Sequence, residues 1–146
     1  MNSTLTPSVT LIAERSNPIA RYGATGARVL LGLVFFVFGL NGFLNFIPPP
    51  ATPMPERAMA FLGALMGTYL LPLVAGTQVL AGALLLANRF VPLALVLLAP
   101  VIVNIVAFHV FLEPSGLVVA LVVLALESLL LWSNRTAYRG VLAPRA

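Results

Sequence analysis

Long apolar runs separated by short polar turns set the pattern of this chain. The longest run, Val91 to Leu112, carries Pro100, Asn104 and His109 within it and ends on Glu113-Pro114-Ser115-Gly116. At 1.5 Å rise per residue it is long enough to cross a hydrocarbon core of about 30 Å as one helix. Arg28 to Ile47 predicts an earlier span, closed by Pro48-Pro49-Pro50, because proline lacks the amide donor and restricts the residue before it. Glu56 to Gly67 predicts a short interfacial helix. Thr68 to Leu71 predicts a bend, since Pro72 removes a backbone bond to Thr68. A second span then runs from Tyr69 to Ala87, and Asn88-Arg89 makes the turn into the Val91 span. That third span is expected to kink near Pro100, which frees the Val96 carbonyl. The last span covers Gly116 to Trp132.

The expected fold is all-α: an integral membrane four-helix bundle with a short extra interfacial helix between spans one and two. Residues 1–26 form an N-terminal tail, with a short interfacial helix expected around Ser8 to Arg15. Residues 27–135 form the membrane domain, and 136–146 a C-terminal tail. Small residues mark the packing faces. Gly32, Gly39 and Gly42 would let another helix approach span one closely. Ala75, Gln78, Ala81 and Gly82 share a face of span two, and Gly116, Ala120, Val123 and Glu127 share one of span four.

Composition strengthens this picture. The chain is 60% hydrophobic and only 8% charged, against roughly 25% charged in soluble domains. All eight cationic residues are arginine, and there is no cysteine, which removes disulfides, thiol redox centres and thiolate metal ligands. The arginines lie beside apolar runs, so they read as orientation signals and argue against nucleic acid as a partner. Arg15, Arg21, Arg28, Arg89, Arg135, Arg139 and Arg145 fall on one side of a four-span layout, and Arg57 alone on the other. The positive-inside rule then places both termini in the cytoplasm of a bacterial-type inner membrane.

Each span carries one polar side chain at a similar depth. Helix rise puts Asn41 and Asn104 ~10 Å from the outer surface, Gln78 ~13 Å and Glu127 ~16 Å. If they converge, they form a buried polar network or the floor of an outward-facing cavity. The amides are expected to hydrogen-bond across helices, at about 0.6 kcal/mol each. No cation lies at the level of Glu127, so a neutral carboxyl donating to a neighbour such as Gln78 is expected. His109 and Glu113, four apart, are placed to pair near the surface. Asn104 is turned ~140° from His109 and is not expected on the same surface. One histidine and no cysteine argue against a haem or any metal centre.

The blocks ARVLLGLVFFVFGLNGFLNF, FLGALMGTYLLPLVAGTQVLAGALLL, NRFVPLALVLLAPVIVNIVAFHVFL and SGLVVALVVLALESLLLW resemble, in order and spacing, the DoxX family of membrane proteins. The resemblance covers roughly residues 27 to 142. It implies a four-helix membrane bundle and links to quinone-coupled sulfur oxidation, membrane oxidoreductase assemblies and receptor chaperoning. Many relatives carry an acid where this chain has Gln78, so the family pattern gives no support to proton relay at that position. Two readings follow. One is a non-catalytic accessory subunit that docks on partner membrane proteins, such as a respiratory or other oxidoreductase complex, or on further copies of itself. The other is a quinone- or lipid-binding protein with an outward-facing pocket made by Asn41, Gln78, Asn104, His109 and Glu127. Neither requires an intrinsic cofactor.

The arginine asymmetry generates a topology test. A cysteine introduced at Thr52 should react with an impermeant thiol reagent applied outside the cell, and one at Ser3 should not; the reverse pattern overturns the orientation.

Overall fold

The computed structural model describes residues 18–48 and 53–139. The expected helix at Ser8 to Arg15, most of the loop after Pro48 and the last arginine lie outside the described residues. The described residues form five α-helices: α1 (Pro18–Leu44), α2 (Glu56–Met66), α3 (Leu70–Leu86), α4 (Val91–Phe111) and α5 (Leu117–Ser133), with 3-10 turns at Pro114–Gly116 and Arg135–Tyr138. Among the described residues there is no strand. Within α1, α4 and α5 with its preceding turn lie three segments long and apolar enough to cross a membrane. The α2–α3 pair makes a fourth if its 83° bend is a broken span. The chain is thus a helical, multi-pass membrane bundle.

The first helix differs from expectation at both ends. It begins at Pro18, not near Arg28, because proline suits a first helical turn and an alanine-containing stretch continues it. It stops at Leu44, not Ile47, because Asn45 takes a left-handed conformation (φ 49°) and Pro48 restrains the residue before it. The other boundaries fall close to those read from the sequence. Pro72 lies in the first turn of α3, where its missing amide costs nothing. α4 runs on through Pro100 as one helix. Asn88, also left-handed, closes α3 in a Schellman motif: its amide reaches the Leu85 carbonyl at 3.2 Å, and that of Arg89 reaches Leu84 at 3.0 Å.

α1 and α3 touch backbone to backbone. A Cβ at Gly82 would lie 2.6 Å from the Phe36 amide nitrogen, and one at Gly39 would lie 2.8 Å from that of Val79. Those glycines, with Gly42 against Ala75, draw the two helices together; the small face expected on span two is the one that meets span one. The rest of the ring is α3 on α4, α4 on α5, and α5 on α1.

Packing is uneven along the bundle axis. Ala27, Leu31, Phe35, Ala81, Leu85, Ala94, Leu95, Leu98, Ile102, Val123 and Leu130 form one buried cluster, and most of it lies in the half that holds Arg28, Arg89 and Arg135. Two long-range bonds tie that end. The Arg28 guanidinium donates to the Leu85 carbonyl at the C-terminus of α3, where a cation also complements the helix dipole. The Tyr138 hydroxyl donates to the Pro92 carbonyl at 3.0 Å, fastening the segment after α5 to the start of α4. The opposite half is looser and is crossed by α2, whose one fully buried residue is Ala58.

The α1–α3 contact has a direct test. Gly82→Ala puts a methyl group against fixed backbone and should lower stability by about 1–3 kcal/mol. Gly63→Ala meets open space and should be neutral or stabilising by up to about 1 kcal/mol. Unfolding in detergent or bicelles would compare them, and equal effects would refute the close-contact account.

Candidate functional site

The loose half contains two cavities, of about 560 Å³ and about 400 Å³, which share Leu65, Val74, Gln78, Ile105 and His109 as a common wall. The first lies in the angle between α2 and α3 and against α4, from Phe61 and Leu73 to Val96, Pro100, Asn104 and Phe108. The second lies among α1, α3 and α5, from Phe38, Asn41 and Leu71 to Val119 and Val123. Both walls are mostly aliphatic and aromatic with a few polar groups, the usual make-up of a small-molecule site.

Four of the five residues expected from the sequence line these cavities. Asn41 lines the second, Asn104 the first, and Gln78 and His109 both. Of the four side chains expected at one depth, Asn41, Gln78 and Asn104 line the cavities and Glu127 does not. Their bonding differs from expectation. The Asn41 side-chain oxygen accepts locally, from the Ile47 amide at 2.7 Å, which lies outside α1 because the helix ends sooner than expected. Among the described residues the side chains of Gln78 and Asn104 make no hydrogen bond, so their amides remain available toward the cavities.

Asn104 and His109 both line the first cavity, despite the angle between them. The cavity wraps round α4: Asn104 is exposed at its rim, while His109 stands half-buried at the shared wall. The imidazole is held in place from one side. Its Nδ1 lies 2.7 Å from the Glu113 carbonyl oxygen and 3.2 Å from a Glu113 carboxylate oxygen. A carbonyl can only accept, so Nδ1 carries the proton and a neutral ring keeps Nε2 as an acceptor. Pairing of His109 with Glu113 is thus realised. The ring covers Gly116 so closely that any side chain there would collide with it. Glu113 also accepts from the Ser115 hydroxyl and from the Gly116 amide at 3.3 Å. Chiefly the Ser115 hydroxyl, then the Gly116 and Ser115 amides and the neighbouring imidazole, hold its carboxyl below the usual carboxylate range, against the opposing effect of burial. Sequence reading missed Phe61, whose ring meets that of Phe108 at 5.7 Å and joins α2 to α4 over the first cavity. It also missed Leu65 at the shared wall. The helical spacing of α2 was visible, but nothing in it showed which helix α2 would cover.

Glu127 is the exception. It is 2% exposed and faces the bundle with Ala120, Val123 and Leu130, as its small-residue face implied. It lines neither cavity, and both carboxyl oxygens lack a hydrogen-bond partner. The expected bond to Gln78 is absent: Glu127 stands one helical turn, ~6 Å, beyond Val123 toward the packed half. No arginine pairs with it among the described residues. Tyr138, beyond the end of α5, has its hydroxyl pushed above the usual tyrosine range, first by burial and second by the Glu127 carboxylate.

No protein-family model matches this chain, and comparisons with curated proteins and with solved structures give no match.

Because Glu127 leaves no partner behind, its removal should relieve an unsatisfied group. Glu127→Leu should stabilise the protein by about 1–3 kcal/mol, read by unfolding in detergent. A loss of that size would mean that a bonded partner exists in the membrane.

Proposed function

We propose that this protein binds a lipophilic small molecule, a quinone or a lipid, in the paired cavities of its looser half. The carrying observation is the shared wall, where Gln78 and His109 present hydrogen-bonding groups to two apolar cavities at once. A polar group in a low-dielectric interior costs free energy unless it finds a hydrogen-bond partner, so Gln78 and His109 favour an occupant that offers one. A ligand with a polar head and an apolar body satisfies both surfaces. On the DoxX resemblance the protein is a four-span membrane bundle, and on the arginine asymmetry both termini face the cytoplasm of a bacterial-type inner membrane. The pocket then opens toward the outer leaflet, where quinone-linked oxidoreduction has access to it.

Gln78 supplies amide donors that suit a carbonyl, and the His109 Nε2 lone pair suits a hydroxyl. The oxidised and reduced forms of a quinone differ in that respect, so the same pair of groups serves either.

Purification from native membranes in mild detergent, with extraction and mass spectrometry, tests the reading. About one lipophile should remain per chain, and Gln78→Leu should reduce its affinity about tenfold, on the order of 1.4 kcal/mol. A ligand-free protein that carries stoichiometric partner subunits would overturn it in favour of the docking role.

A further inference from the structure

We propose that the ligand is an electrically neutral lipophile with a single tail, and that it enters sideways from the bilayer between α3 and α4, beneath α2. The proposal rests on the pocket reading above.

The head is neutral because nothing in the site balances a charge. No arginine, aspartate or glutamate lines either cavity, and the chain has no lysine at all. A phosphate or carboxylate is normally held by a guanidinium, an ammonium or the free amides of a helix N-terminus. The N-terminus of α3, which opens beside Leu73, is largely spoken for. Its Leu70 amide donates to the Thr68 hydroxyl oxygen at 3.3 Å, Pro72 has no amide hydrogen, and the Leu73 amide reaches the Tyr69 carbonyl at 3.1 Å. The charged group nearest the pocket is the Glu113 carboxylate, 3.2 Å from His109, and it repels an anion. Gln78, Asn104 and the imidazole all suit an uncharged carbonyl or hydroxyl.

The tail leaves through the first cavity. At its rim Leu73 is 59% and Val96 52% exposed, beside exposed Pro100 and Asn104. In a membrane this rim faces acyl chains. Each cavity lies within the roughly 300–1,000 Å³ of a site for one small ligand, and the wall of Leu65, Val74, Gln78, Ile105 and His109 stands between them. A two-chain lipid would have to divide across that wall.

The experiment titrates the full-length detergent-solubilised protein with three probes by native mass spectrometry: monoolein, oleoyl lysophosphatidic acid and dioleoylglycerol. Monoolein should bind at least tenfold tighter than either of the others. Val96→Trp, which fills the rim from a lipid-facing position, should weaken monoolein about tenfold. Val118→Trp, on an exposed part of α5 that lines neither cavity, should have no effect. Equal or tighter binding of the phosphate probe overturns the neutral head, and equal binding of the two-chain probe overturns the single tail. Equal effects of the two tryptophans overturn the lateral route. If a short-chain quinone binds while monoolein does not outbind its phosphate, this inference fails and the pocket reading stands. If no probe and no quinone binds, the pocket reading itself has failed.

Discussion

Backbone contact between α1 and α3 is the constraint on which the other helices depend. Two helices in lipid gain little from burying apolar surface against each other, because the acyl chains are equally apolar; they gain from close van der Waals contact. Gly39, Gly42 and Gly82 make that contact possible by letting one backbone lie in the groove of the other. α4 and α5 close the ring around this pair with larger side chains. At the arginine-bearing end those side chains, Leu95, Leu98 and Leu130 among them, interlock with Leu85 of α3 and fill the interior. At the other end they do not, and the volume they leave is where the polar groups of three helices meet.

The two halves handle polarity differently. In the packed half, Arg28 and Tyr138 each satisfy a backbone carbonyl near a helix end, so their donors fasten the ends of α3 and α4. Glu127 breaks that rule: it is enclosed by the same packing and has no partner. In the loose half, His109 is oriented by Glu113, which is itself fixed by Ser115 and Gly116. That chain of contacts sits in a turn of the backbone, so the imidazole is positioned by local structure and does not depend on a ligand to hold it.

Much of the fold could be read from residue patterns. The helices are bounded by prolines, asparagines and glycines whose effect is local, and local effects survive into the tertiary structure. Hence α2, the bend after it and the turn at Asn88 fell where expected, and 56–87 is not one straight helix. Depth along a helix was equally legible, because rise per residue is fixed, and it brought Asn41, Gln78 and Asn104 to one level. Direction around the axis was less so. Whether Asn104 and His109 share a cavity depends on how α2 and α3 enclose α4, and whether Glu127 reaches Gln78 depends on which half of the bundle packs tightly. Both are properties of several helices together. The early end of α1 was missed because Asn45 departs from the helix before the prolines begin.

The shortness of α3 acts beyond the protein itself. Its 17 residues extend ~25 Å, less than the roughly 30 Å of a typical hydrocarbon core, and α2 turns away at the point where the deficit begins. Such a mismatch is relieved by thinning the adjacent bilayer or drawing water and headgroups inward. The deficit falls beside the angle between α2 and α3, so thinning of the bilayer is favoured on the side of the bundle where the first cavity has its exposed rim.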